Sequence, residues 1–185
     1  MTLTLRLLAF LVAASALLNV GCSTSAPVAS SVRKSGALTP KAGFYSKKGA
    51  LYALVKTTAY SHQEKDSLKY GKACAAGCNL RYDAVRSAAA DWSVFPLGTL
   101  FRIPGESCIH RIDDYGSALV GTRTIDLYQP TLAGVRRWGS RVLEIQILKW
   151  GSYSQSLQIL ADRTRHDHVR SMVNSIRSKR LVAQR

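Results

Sequence analysis

Apolar residues recur through residues 51–150 in short runs that are separated by turn residues, a pattern typical of β-strands. The clearest run is 141–148, where Leu143, Ile145 and Ile147 alternate with polar residues, as in a half-buried strand. Further runs predict strands at 51–59, 100–103, 109–112 and 124–128. Five or six such strands predict a small closed or nearly closed β-barrel.

Helical signals interrupt and follow the predicted strands. Pro130 and Gly139 bracket a short helix, because proline is favoured at a helix start and glycine just past its end. In 151–185 the spacing of apolar residues predicts one or two amphipathic helices, which we expect to cover the barrel with their apolar stripe. Binding to membrane or anionic wall polymer is the alternative role for this basic tail. The stripe consists of Leu157, Leu160, Val169, Met172, Val173 and Ile176.

The first 21 residues resemble a secretory signal. Arg6 precedes an uncharged run at 7–18, which is shorter than the roughly 20 apolar residues of a transmembrane helix. The segment Leu-Asn-Val-Gly-Cys at 18–22 resembles a bacterial lipobox, which would make Cys22 the lipidated residue; a plain signal peptide is the alternative. Ser23 after this cysteine resembles the default signal for outer-membrane sorting in a Gram-negative cell, so lipidation would place the protein at the periplasmic face of the outer membrane.

Residues 22–50 are rich in Ser, Ala, Gly, Pro and Lys without apolar periodicity, and we expect a flexible tether there. The whole chain has 26 Lys and Arg against 11 Asp and Glu, a net charge of +15, which favours polyanionic partners. An exported protein rarely meets nucleic acid, so we expect no nucleic-acid partner. Wall polymers and the membrane, reached through the lipid anchor, remain as partners; the sequence identifies no protein partner.

Three aspartates stand in recognisable motifs. Asp91 precedes a Pro-Leu-Gly-Thr turn at 96–99, Asp114 opens Asp-Tyr-Gly-Ser-Ala-Leu-Val-Gly, and Asp126 lies in Ile-Asp-Leu-Tyr. These motifs resemble the 3D domain, a family named for three aspartates, and the resemblance covers about 51–150. It implies an all-β fold, a six-stranded double-psi β-barrel with one short internal helix, here followed by a C-terminal amphipathic helix.

The resemblance also implies a function. Double-psi barrels of this kind form the catalytic core of membrane-bound lytic transglycosylase A, which cleaves the MurNAc–GlcNAc β-1,4 bond of peptidoglycan and closes a 1,6-anhydro ring. The resemblance implies that Asp126 is the catalytic acid/base and that Asp114 and Asp91 support it. A non-catalytic, glycan-binding lipoprotein is the alternative, because rare lipoprotein A shares a similar barrel and motif.

The chemistry of glycosidic-bond cleavage independently requires a carboxylic acid that stays protonated near neutral pH. Asp126 is the best candidate, since aspartate is disfavoured within a strand. Asp113 is expected to face solvent on the opposite side from Asp114. Glycines favour close approach of the sugar, and aromatic rings stack on it. The predicted substrate-binding residues are Gly116, Ser117, Tyr128 and Tyr60.

The three remaining cysteines are Cys74, Cys78 and Cys108, an odd number for an oxidising compartment. One disulfide and one free thiol is the simplest interpretation, with the Cys74–Cys78 loop tied to Cys108. A zinc set of these three thiolates with His110 is the weaker alternative. We therefore expect no metal and no cofactor. His166 and His168 lie two apart, so on a helix their side chains would diverge.

Overall fold

The computed structural model describes residues 43–183, and within that range the chain forms seven strands and three α-helices. The strands are β1 (Phe44–Lys47), β2 (Ala50–Tyr60), β3 (Val85–Ala89), β4 (Leu100–Arg102), β5 (Ile109–Asp114), β6 (Ile125–Tyr128) and β7 (Arg141–Lys149). The helices are α1 (Leu132–Trp138), α2 (Tyr153–Leu160) and α3 (Asp167–Ala183). The predicted signal peptide, Cys22 and most of the predicted tether lie outside the described residues.

All seven strands belong to one sheet, in the order β1-β2-β6-β3-β5-β4-β7. The last strand in this order, β7, also pairs with the second strand, β2. The six strands from β2 to β7 therefore close a ring of hydrogen bonds. The long strand β2 makes this closure possible, because residues 51–57 pair with β7 and residues 57–60 pair with β6. β1 stands outside the ring as a hairpin partner of β2.

The alternating pattern of β7 is confirmed: Ile145 and Ile147 are buried and Leu143 is partly buried, whereas Val142 and Leu148 are exposed. α1 also lies where the sequence places it. Thr131 caps its start, where its hydroxyl accepts a hydrogen bond from the Gly134 amide. At the other end Gly139 has a φ of 64°, which favours glycine.

Two strands were not predicted. β1 falls in the last part of the range predicted as a tether, so that residues 44–47 are part of the sheet. β3 contains Ser87, Ala88 and Ala89, which lack the β-branched side chains that mark a strand. These small residues are buried because β3 pairs with β5 on one side and β6 on the other.

The strand-rich character and the helices are as expected, but the fold is not purely all-β, because α2 and α3 contribute to the same hydrophobic core as the strands. Leu160 of α2 is buried together with the apolar stripe of α3. The core unites side chains from the sheet, the 92–97 turn and both helices: Trp92, Phe95, Phe101, Ile112, Ile125, Leu127, Ile145, Leu160, Val169, Met172, Val173 and Ile176. The predicted covering role of the apolar stripe is therefore confirmed.

The Pro-Leu-Gly-Thr turn connects α2 to the strands. Leu97 accepts a hydrogen bond from the Ser152 amide through its carbonyl and donates its own amide to the Ser156 hydroxyl. Gly151 packs directly on this turn: a Cβ atom there would lie 2.3 Å from the Pro96 carbonyl oxygen. Among the described helices, none is both long and apolar enough to cross a membrane.

Candidate active site

The register of three strands brings two of the predicted aspartates to one part of the sheet. Ala89 of β3 pairs with Asp114 of β5 on one side and with Asp126 of β6 on the other. Strands lie about 4.8 Å apart, so the backbones of the two aspartates are roughly 10 Å apart. The residue between them has only a methyl side chain, which leaves space between the two carboxyl groups.

Both carboxyl groups line a cleft of about 870 Å³. One part of its wall comes from the end of β2 and the segment that follows, including Tyr60, Glu64 and Tyr70. Another part comes from residues 114–119, and a third from residues 163–168 between α2 and α3. The cleft is thus built from the sheet and from two segments that lie outside it.

Asp126 is half-buried in this cleft and accepts one side-chain hydrogen bond, 2.7 Å long, from the Thr58 hydroxyl to its Oδ1. Thr58 lies directly opposite Asp126 in the β2–β6 register. Burial raises the pKa of Asp126 to about 6; the Thr58 bond opposes this rise, and the charges of Glu64 and Asp114 add to it. A substantial fraction of Asp126 is therefore protonated in weakly acidic solution.

Asp114 has a different environment, because three donors surround its carboxylate. Its Oδ1 accepts hydrogen bonds from the amides of Ala75 (3.1 Å) and Tyr115 (2.9 Å), and its Oδ2 accepts one from the Tyr60 hydroxyl (3.1 Å). Burial raises the pKa of Asp114, whereas these three bonds and the Arg163 charge lower it. Its carboxylate is consequently held in one orientation.

Tyr60 also lines the cleft, together with Gly116 and Ser117, so three of the four predicted substrate-binding residues lie there. Burial, with the charge of Asp114 as the next cause, raises the pKa of Tyr60 well above its usual value, so its phenol remains a donor. The fourth, Tyr128, is buried and does not line the cleft; its hydroxyl lies 2.8 Å from His62 Nδ1.

Asp91 does not line the cleft either. It is 2% exposed, and its two oxygens accept hydrogen bonds from the amides of Ser93 (2.7 Å) and Gly121 (2.8 Å). The second bond connects Asp91, five residues before the Pro-Leu-Gly-Thr turn begins, to the 116–121 segment that borders the cleft. Asp91 thus supports the cleft through the backbone.

Asp113 is fully buried, so the expectation that it faces solvent is wrong. A register shift between Ala88 and Ala89 places Asp114, rather than Asp113, opposite Ala89. The Asp113 Oδ2 accepts a hydrogen bond from the Ser87 hydroxyl, while its Oδ1 has no partner in the described part of the chain. Burial raises the pKa of Asp113 to about 6; the Ser87 bond opposes the rise and the Asp114 charge adds to it.

The disulfide joins Cys74 to Cys78 within a single loop. Cys108 is buried and, among the described cysteines, is the one without a partner, so the predicted link from the Cys74–Cys78 loop to Cys108 is wrong. The zinc set inferred from the sequence is also not assembled, because Cys108 and His110 cluster with Glu106 instead. The disulfide-closed loop presents the Ala75 amide to Asp114.

Sequence reasoning missed a group of basic side chains at the cleft. Arg163 donates through Nη1 to the Ala75 carbonyl (2.9 Å) and to the Tyr115 hydroxyl (3.4 Å). His166 precedes α3, so the prediction that it diverges from His168 is wrong: their rings stack with centroids 5.6 Å apart. Lys69 and Arg165 line the same cleft. These basic side chains come together because the segment between α2 and α3 lies against the sheet at the cleft. The spacing of apolar residues in the sequence does not reveal that position.

The site is a cleft lined by aspartates on a closed ring of strands. A comparison with known protein families is consistent with a site of this kind. Residues 86–149 match the family model described as the 3D domain, which is consistent with the resemblance seen in the sequence. The match includes Asp91, Asp114 and Asp126, as the sequence motifs predicted, and the 3D domain is a peptidoglycan-related domain family. No curated protein matches the chain.

Proposed function

We propose that the protein cleaves the MurNAc–GlcNAc β-1,4 bond of peptidoglycan by lytic transglycosylation, with Asp126 as the acid and then the base. One observation carries this proposal: Asp126 combines a place in an open cleft with a pKa of about 6 and, within residues 43–183, only one side-chain hydrogen bond. A general acid needs a pKa near the working pH and an accessible proton. Among the aspartates of the three motifs, Asp126 fits both requirements best.

The differing environments of the two cleft aspartates support a division of roles. Asp114 accepts three hydrogen bonds that favour its charged form, and its negative charge contributes to the raised pKa of Asp126. Two carboxyl groups whose surroundings differ in this way are typical of glycosidase sites. In this mechanism burial keeps the proton on Asp126, the Asp114 charge adds to that effect, and Asp114 orients Tyr60.

The reaction needs one acid/base group. Asp126 transfers its proton to the glycosidic oxygen as the bond from that oxygen to C1 of MurNAc breaks. The 6-hydroxyl of the same MurNAc attacks C1 and gives its proton to the Asp126 carboxylate. The new bond closes the 1,6-anhydro ring, water is not consumed, and the acid is regenerated.

Substrate contacts follow from the walls of the cleft. Gly116 and Ser117 bring backbone to the cleft surface, and Tyr60 and Tyr70 offer aromatic rings there. We further propose that the ring of six strands is the double-psi β-barrel. The Cys22 motif supports a lipid-anchored protein at the periplasmic face of the outer membrane, bound to peptidoglycan glycan strands.

The test is to incubate the full chain, purified in mild detergent, with isolated peptidoglycan and to analyse released fragments by mass spectrometry. Lytic transglycosylation yields muropeptides that are one water lighter than their reducing-end counterparts. We expect these products from the unaltered protein and a large loss of them in Asp126→Asn.

Two other results would overturn the proposal in different ways. Reducing-end fragments would mean hydrolysis, with a second carboxylate, Asp114 first, acting on water. An absence of fragments, with the protein still sedimenting with the peptidoglycan, would leave a non-catalytic glycan-binding protein.

A further inference from the structure

A second cluster of reactive side chains lies at the hairpin that joins β4 to β5. The Cys108 sulfur lies 3.2 Å from Glu106 Oε2 and 3.5 Å from His110 Nε2, and the last two atoms are 3.1 Å apart. Cys108 and His110 are 6% and 2% exposed, whereas Glu106 is half-buried. None of the three lines the aspartate cleft.

These distances fit three corners of a tetrahedron around one metal ion. Zinc binds thiolate sulfur at about 2.3 Å, imidazole nitrogen at about 2.0–2.1 Å and carboxylate oxygen at about 2.0–2.2 Å. Tetrahedral angles then separate the ligand atoms by about 3.3–3.6 Å. The observed triangle is slightly smaller than this, so a small outward movement would complete the geometry.

Hydrogen bonding alone does not satisfy all three contacts. In a neutral imidazole, Nε2 carries either a proton to donate to Glu106 or a lone pair to accept from Cys108. One of the three contacts is therefore always without a hydrogen bond. A single cation at the centre interacts with the lone pairs of all three atoms.

The cluster is held in place and is open on one side. The His110 ring stacks on Phe101 with centroids 5.1 Å apart, and these residues pair in the β4–β5 register. His110 Nδ1 has no hydrogen-bond partner among the residues that the structure describes, so stacking fixes the ring. The partial exposure of Glu106 provides a path to solvent. Arg86 is a positively charged residue near this cluster. Its guanidinium lies over the Tyr82 ring, 4.2 Å from the ring centroid.

We propose that Glu106, Cys108 and His110 bind a divalent transition metal ion of the zinc type, with the fourth position left to water. A thiolate, an imidazole and a carboxylate form a borderline ligand set that suits zinc better than calcium or magnesium. The two anionic ligands balance the divalent charge. The ion would tie the hairpin loop to the first residues of β5, independently of the proposed reaction in the cleft.

Cobalt(II) provides the test, because a thiolate ligand gives it an intense near-ultraviolet charge-transfer band. The full chain is freed of metal with a chelator, without reductant so that the Cys74–Cys78 disulfide stays closed, and is titrated with Co²⁺. We expect one equivalent to bind with this band, and zinc to displace it.

Variants then assign the ligands. Cys108→Ser should abolish the band, and Glu106→Gln in the partly exposed loop should weaken binding at least about 10-fold, since even outer-sphere partners contribute that much. Glu144→Gln, on β7, is the matched control and should bind like the unaltered chain. Circular dichroism establishes that each variant is folded. No band, or a band that persists in folded Cys108→Ser, would overturn the site.

Discussion

Asp114 and Asp126 flank Ala89 in the sheet, each paired with that one residue from the opposite side. The pairing sets two carboxyl groups on one cleft while keeping a strand between them. Their hydrogen bonds then differ: three donors for Asp114 and one side-chain donor for Asp126.

Replacing Asp126 by asparagine removes the proton that the leaving oxygen requires. We expect the release of anhydro-muropeptides to fall about 10²–10⁴-fold, the usual contribution of a general acid. Asp83→Asn, an exposed aspartate outside the cleft, is the control and should retain activity. Rates come from mass spectrometry of fragments over time, and comparable losses in both variants would contradict a specific role for Asp126.

Thr58→Val removes the hydrogen bond that favours the charged form of Asp126, so its pKa should rise further above 6. Activity requires the protonated acid, so it should decline as pH rises through this pKa. The decline should therefore move to higher pH by on the order of one unit. The measurement is the pH profile of fragment release, with Thr124→Val as the control; an unchanged or lower midpoint would refute the assignment.

Asp113→Asn should stabilise the fold at neutral pH. The pKa of Asp113 rises from 3.8 to about 6 on folding, so the folded state binds the proton more tightly. The free energy of unfolding consequently falls as pH rises from about 4 to 6, by on the order of 2–3 kcal/mol. Urea unfolding at pH 4 and pH 8 should show a gain for the variant at pH 8 alone. Equal effects at both pH values would argue against a buried, titrating carboxyl group.

Asp91→Ala should destabilise the fold without removing the acid. Its two carboxylate oxygens satisfy the amides of Ser93 and Gly121, and each bond to a charged group contributes about 1.5–3 kcal/mol. We expect a loss of about 3 kcal/mol in unfolding free energy, measured in urea. The pH midpoint of activity at low temperature should stay the same, and a shifted midpoint would place Asp91 in the chemistry instead.

Gly151→Ala should disrupt the contact between the Pro-Leu-Gly-Thr turn and α2. Its Cβ would lie within 2.5 Å of three backbone atoms of residues 96–99, which are unable to move independently. We expect a loss of about 3 kcal/mol or more in unfolding free energy. Gly116→Ala is the control, since its Cβ would make ordinary contacts at 3.5 Å and its φ is −133°. Similar stabilities of the two variants would contradict the close approach.

The strands with clear apolar alternation can be predicted from the sequence. The motifs also single out Asp126 and Asp114, the two aspartates that line the cleft. The sequence does not explain why Asp114, and not Asp113, faces the cleft, because the shift in register at Ala89 depends on pairing between distant strands. β3 escapes prediction because alanine is depleted in strands and favours helices, and the burial of Ala88 and Ala89 comes from pairing with β5 and β6. Tyr128 shows the opposite error: its motif position suggests sugar contact, yet it packs against Tyr60, Tyr82 and His62.

The acid and the walls of its cleft come from separate parts of the chain. Asp126 and Asp114 belong to strands within the 86–149 match, whereas much of the wall comes from residues 60–80 and 163–168. If the proposed reaction takes place in this cleft, changes of length or charge in those two segments would alter which glycan chains enter, and how far, without shifting either aspartate. Under that proposal, selectivity and bond cleavage are separable, and exchanging one wall segment would be a direct route to a different substrate range.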